Sequence, residues 1–197
     1  HELTYLRLGE FYRVEAGQIL EARIIVDLVD LARQAGRRIL PIAKGLEHLV
    51  PGPMSNDGVL SREIGKFGDG VSSTQQRCLR LVEQMIGGLG RFDGGSLQSM
   101  GMRAYWDPQM MWYGPGGIGT TRSIEGFEEH HQKPFLIAIP DRKGGNHRAR
   151  IGEDPYAAST GWPSIYATSS GPYLGIAPSF KPVTMRVMDW WRMDGDL

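Results

Sequence analysis

Apolar positions change period several times along this chain, and each change predicts an element. Residues 3–14 and 18–28 are rich in Leu, Tyr, Phe and Ile and read as two strands around a turn at Glu15-Ala-Gly17. Gly17 supplies the positive φ that such turns need. Asp27 to Arg38 predicts a short helix, capped by Asp27 or Asp30, with Leu28, Leu31 and Ala35 on one face. Residues 41–72 carry Pro41, Pro51-Gly-Pro53 and further glycines without periodicity, and read as an extended connector. The strongest helix signal starts at Ser73 or Thr74 and runs to about Leu89. Leu79, Val82, Met85 and Ile86 recur at three- and four-residue spacing, and Gln75, Arg77, Arg80 and Glu83 take the other face.

The second half continues with a short helix over Gly95–Met102, a turn at Tyr105-Trp-Asp-Pro108 and a strand at Met110-Met-Trp-Tyr113 that enters the turn Gly114-Pro-Gly-Gly-Ile-Gly119. A third helix is predicted over Ser123–Ile137, with Phe127, His131, Phe135 and Leu136 periodic and Pro134 forcing a kink or restart. The period then becomes that of strands. His147–Ile151 and Tyr156–Thr168 form an antiparallel pair across Gly152-Glu-Asp-Pro155, Ser169–Lys181 is a Gly/Pro/Ser loop, and Pro182–Arg192 is a last strand. Helices followed by an antiparallel meander give an α+β class, with the helices on one face of a curved sheet.

A long repeat overlays this order. Glu10-Phe-Tyr-Arg13-Val-Glu15-Ala-Gly17 near the start and Asp189-Trp-Trp-Arg192-Met-Asp194-Gly195 at the end share one pattern of acid, two aromatics, Arg, apolar residue, acid and Gly. The period of about 180 residues suggests domain duplication. The first copy continues into a strand, Ile19 to Asp27, that the second lacks, so the chain is expected to be part of a longer product. The expected organisation is a tail hairpin and helix of a first copy over 1–40, a linker over 41–72 and a second domain over 73–197 without its final strand.

Composition narrows the function classes. The 197 residues are 41% hydrophobic and 22% charged, an ordinary globular balance. Lys plus Arg and Asp plus Glu are both 22, so no net field favours nucleic acid or an anionic membrane. No apolar run reaches the roughly 18 to 20 residues that a membrane-spanning helix needs. Cys78 is the single cysteine and cannot form an internal disulfide, which fits a reducing cytoplasm. It lies beside Arg77 and Arg80 without a His partner and reads as a packing residue.

Several segments together resemble the SnoaL-like family of polyketide-cyclase and ester-cyclase-like proteins, within the nuclear-transport-factor-like superfamily. They are Trp112-Tyr-Gly-Pro-Gly-Gly-Ile-Gly119, Gly126-Phe127, His131, Pro134-Phe-Leu136, Pro140-Asp141 and Asp189-Trp-Trp-Arg192-x-x-Gly195. The resemblance covers residues 73–197, and 3–31 resemble the tail of a preceding copy. It implies a cone: helices packed in the concave face of a strongly bent antiparallel sheet, around an apolar pocket. Catalysis does not follow from the fold, because the family includes cyclases, isomerases, hydrolases and noncatalytic proteins. Its cyclases carry an essential acid in the strand after the Arg-x-x-x-Gly turn. Here that strand is absent from the second copy, and Ile24 stands at the position in the first.

Asp189 is the leading catalytic candidate. Related cone-fold isomerases place an oxyanion-stabilising acid three residues before the Arg. Val187 and Trp191 share its strand face by period-two alternation and would keep its carboxyl protonated. His131 suits acid/base work near neutrality, and its neighbour His130 should point elsewhere on the helix. Tyr113 could donate or orient. Trp112, Trp162, Trp191, Met188 and Phe135 are candidate walls for a small apolar or aromatic ligand, although core packing accounts for such residues equally well. Asp141-Arg142 reads as a structural turn or ion pair.

No set of ligands stands at metal spacing, and Gly114–Gly119 lacks the strand–loop–helix context and the Lys of a phosphate loop, so neither metal nor cofactor is expected. Two functions remain. One is cofactor-independent acid/base chemistry (cyclisation, isomerisation or hydrolysis) on a small apolar carbonyl compound. The other is a noncatalytic ligand-binding or oligomerisation domain. The bare edge of the last strand is expected to be filled by residues 18–28 of this chain, of a neighbour, or by another polypeptide. A homodimer or higher oligomer, through strand exchange or sheet pairing, follows from the resemblance.

Overall fold

The computed structural model describes residues 4–48, 76–153 and 155–194. Most of the expected connector, the helix start at Ser73 or Thr74, and Gly195 lie outside the described residues. The secondary structure is mixed α and β with antiparallel sheets, the class expected. Contacts divide the described residues between two compact units. One draws on His1–Leu49, Met111–Arg142 and Ala167–Val183, the other on Val50–Met110, Lys143–Tyr166 and Thr184–Leu197. This partition crosses the boundaries read from the sequence at 40 and 72. Among the described residues no helix is long and apolar enough to cross a membrane.

The first unit opens with the hairpin β1 (Leu8–Glu15) and β2 (Gln18–Val26), in the register Glu10 opposite Ile24 and Tyr12 opposite Ala22. Ala16 (φ 49°) and Gly17 (φ 76°) both adopt left-handed conformations, the requirement of the tightest hairpin turns. Alternation then divides the hairpin: Phe11 is buried, while Leu8, Tyr12, Ile24 and Val26 on the opposite face are 38–47% exposed.

Helix α1 (Leu28–Gln34) follows at once, and Asp27 caps it by accepting from Asp30 N at 3.0 Å. The same carboxylate pairs with Arg7 at 2.7 Å and accepts from Gly116 N at 2.8 Å, tying the hairpin to a segment 89 residues away. The start of the expected connector is also fixed. Leu46 forms an isolated bridge to Thr120, and a Cβ on Gly45 or Gly119 would lie 2.7 or 2.6 Å from the other residue's backbone. Only glycine permits that approach.

Two short strands, β3 (Met111–Tyr113) and β4 (Thr120–Arg122), pair across the glycine-rich turn. The predicted third helix is present in three parts: α3 (Ser123–Phe127), a π-helical stretch over Glu128–Gln132 and α4 (Lys133–Ala138). Pro134 in the first turn of α4 has no N–H to give the His130 carbonyl, and the wider π register in front of it removes that conflict.

The second unit contains α2 (Arg77–Leu89), which buries Cys78, Val82, Met85 and Gly88. Two 3₁₀ turns, Leu97–Met100 and Met102–Ala104, stand where one short helix was predicted. They seat Met100 and Met102 in the core. The sheet is built around β7 (Tyr156–Thr168), which pairs with β5 (Lys143–Gly144), β6 (Ala149–Glu153) and β8 (Pro182–Arg192). Arg150 of β6 reaches Glu83 of α2 at 3.2 Å. In the first unit, Asp141 accepts from Thr168 N at 2.8 Å and Thr168 Oγ1 at 2.7 Å, so it fastens the end of β7 in the structural role expected.

Candidate functional site

Asp189 lies near the end of β8, where alternation is visible in the burial. Met185, Val187, Asp189 and Trp191 are half-buried, whereas Arg186, Trp190 and Arg192 are exposed. Among the described residues no cation or hydrogen-bond donor offsets the carboxyl. Desolvation alone pushes it up to about 7. A carboxyl in that state is divided between acid and base at neutral pH, so it can donate a hydrogen bond or take a proton.

The neighbouring candidates separate by face. Period two places Met188 with Arg186 and Trp190, on the other side of β8 from Asp189. The Arg186 guanidinium lies 5.2 Å from the Trp162 ring, which engages Trp162 with the exposed side of the strand. Trp191, on the face of Asp189, is the candidate wall residue that alternation keeps beside it.

His131, Trp112, Phe135 and Tyr113 all belong to the first unit. His131 stacks on Trp112 at 4.3 Å between centroids and an interplanar angle of 16°. Phe127 and Phe135 each lie 5.4 Å from its ring, and Phe135 meets Tyr173 at 5.9 Å. Burial among these rings pushes the imidazole down to about 4, so it is neutral at pH 7, and its buried Nδ1 has no partner among the described residues. Tyr113 stands outside this cluster with 39% of its surface exposed.

His130 points away from the ring cluster, as expected, but it is itself half-buried, and its Nδ1 has no partner among the described residues. It lines a recess of about 200 Å³ in the same unit, together with Lys44 and Tyr173. Burial pushes the Tyr173 phenol up to about 12. Lys44 and Tyr173 come from segments without periodicity, so nothing in the local pattern marks them.

Sequence reading also missed a Ser–His pair in the second unit, where His147 Nε2 lies 2.6 Å from Ser159 Oγ. Ser159 is 0% exposed on β7, which removes it as a nucleophile for any substrate and leaves a structural hydrogen bond.

Comparison with family models and with curated proteins gave no match. Solved structures do resemble the chain. AclR from Streptomyces galilaeus, which bears the name of a hydroxylase, aligns over 61% of this chain and 81% of its own at 19% identity and a TM-score of 0.47. An NTF2-like protein from Burkholderia xenovorans LB400 aligns over 61% and 93% at 15% identity and a TM-score of 0.36. A protein from Jannaschia sp. CCS1 that bears the name SnoaL-like polyketide cyclase aligns over 64% of this chain and 83% of its own, at 16% identity and a TM-score of 0.51. That last likeness is one of fold and agrees with the resemblance read from the motifs: over the aligned part the chain shares the α+β fold of that protein.

Proposed function

We propose that this protein binds a small, largely apolar carbonyl compound and performs cofactor-independent acid/base chemistry on it, with the Asp189 carboxyl as the acid/base group. The observation that carries this reading is a half-buried carboxyl with no charged partner among the described residues, pushed up to about 7 on the strand face it shares with Val187 and Trp191. In its protonated form Asp189 donates a hydrogen bond to a carbonyl oxygen as negative charge develops there. The apolar surround strengthens that bond beyond its value in water. In its ionised form it accepts the proton of an acidic C–H. Cyclisation, isomerisation and hydrolysis all pass through one of these steps.

The test is exchange of the α-protons of enolisable ketones in D₂O, followed by proton NMR at pH 7. Asp189→Asn and Asp189→Ala are expected to lower the protein-dependent exchange by about 100-fold or more while the circular dichroism stays native. Exchange retained in both variants refutes the role of Asp189.

A second reading, a noncatalytic binding or oligomerisation domain, draws on two observations. Trp112, Phe127 and Phe135 pack on the His131 ring, which engages that imidazole in packing. The hairpin also leaves Leu8 and Tyr12 exposed, although Val187 and Trp191 at the matching positions of the repeat are half-buried. A second copy of this chain would cover that face. A mass by light scattering that remains monomeric at about 100 μM would exclude this.

A further inference from the structure

The recess beside His130 has a chemistry of its own, independent of Asp189. Its three ionisable residues, Lys44, His130 and Tyr173, are all potential donors, and no carboxylate lines it among the described residues. Among the described residues His130 Nδ1 is buried without a partner, and neither the Lys44 ammonium nor the Tyr173 hydroxyl makes a hydrogen bond or ion pair. The remaining wall is apolar, with Ile42, Ile118 and Leu174. A concave apolar surface with a few convergent polar groups is the usual form of a small-molecule site.

We propose that this recess binds a small organic anion made of one apolar ring and one carboxylate. The carboxylate would sit against Lys44, the Tyr173 hydroxyl and His130 in its Nδ1–H tautomer, and the ring against Ile42, Ile118 and Leu174. Size agrees: the recess is about 200 Å³, and a cavity of about 150 Å³ is enough to hold benzene. Charge agrees as well. An anion there would give every donor an acceptor, whereas a cation would face the Lys44 ammonium with no carboxylate in the lining to offset it among the described residues. The phenol holds its proton across the physiological range, so Tyr173 is a donor at every relevant pH.

The walls are fixed by the backbone. Gly175 (φ 78°) lies so close to Pro41 that a Cβ on it would stand 2.5 Å from Pro41 Cγ. The 172–175 loop and the 41–44 segment therefore meet only while that residue is glycine, so Gly175→Ala should open the recess without touching any donor.

Benzoate is the probe, with benzamide as its neutral counterpart, followed by protein-observed NMR at pH 7. Benzoate is expected to shift the resonances of Ile118 and Leu174 with millimolar or tighter affinity, and benzamide to bind at least tenfold more weakly. Lys44→Gln and Tyr173→Phe should each weaken benzoate about tenfold and leave benzamide unchanged, as the loss of one charge-assisted hydrogen bond predicts. Lys44 is a surface residue, so its variant separates lost binding from lost folding. Equal binding of the two probes, an unaltered Lys44→Gln variant, or shifts confined to residues outside the recess would overturn the proposal.

Discussion

Replacing Asp189 should change how stability depends on pH, and the size of the change can be worked out beforehand. The carboxyl titrates near 3.8 in the unfolded chain and near 7 in the folded one. The folded state therefore holds a proton that the unfolded state has released. Its contribution is fully present below pH 4 and is lost as pH rises to 7. Each tenfold change in proton affinity is worth about 1.4 kcal/mol, so the whole loss is at most about 4 kcal/mol, less whatever solvent reaches this half-buried residue.

His131 acts in the opposite sense. Its folded value of about 4 lies below the ordinary 6.5, so its contribution is present above pH 6.5 and is lost as pH falls towards 4, by at most about 3 kcal/mol. In the wild-type chain the two slopes oppose each other between pH 4 and 6.5. Asp189→Asn removes one of them. Urea denaturation at half-unit steps from pH 4 to 8 should then show the variant gaining on the wild type by up to about 1.4 kcal/mol per pH unit until pH 7, and level above it. A stability difference that stays constant from pH 4 to 8 would refute the reasoning.

Other predictions concern the scaffold. Asp27→Ala removes a helix cap, an ion pair to Arg7 and the acceptor of Gly116 N, and should cost about 2–4 kcal/mol in chemical denaturation. Met85→Ala in α2 should cost about 2–5 kcal/mol because Met85 is 4% exposed, whereas Glu83→Ala on the opposite face should cost under about 1 kcal/mol. Trp112→Leu takes away the ring stacked on His131. NMR titration should find that imidazole moved up from about 4 towards its ordinary value as water reaches it.

Local pattern carried a large part of the fold, and its failures have physical causes. The β1–β2 hairpin was legible because strand composition and a left-handed Gly17 are both local properties. Helix α2 was legible because four apolar residues repeat at helical spacing. Strands β4 and β5, at three and two residues, are too short for alternation to register, and both were missed. The break at Pro134 was foreseen, yet the π-helical stretch in front of it depends on how the chain re-forms its hydrogen bonds.

Long-range contacts were invisible. Gly45 against Gly119 and Asp27 against Gly116 bring distant segments together, which is why a stretch read as linker begins as part of a folded unit. The site divides in the same way. Asp189 could be singled out because its apolar neighbours lie two residues away on one strand. Lys44, His130 and Tyr173 share a recess only because three unrelated segments converge, and no spacing encodes that.

The central claim is that Asp189 is a carboxyl poised near neutrality, and its protonation can be observed directly. Difference infrared spectroscopy from pH 4 to 9, with Asp189→Asn as the reference, isolates the C=O stretch of this one protonated acid. A band that disappears with a midpoint near 7 is the predicted result. A midpoint at or below about 4, the ordinary carboxylate range, would contradict the account.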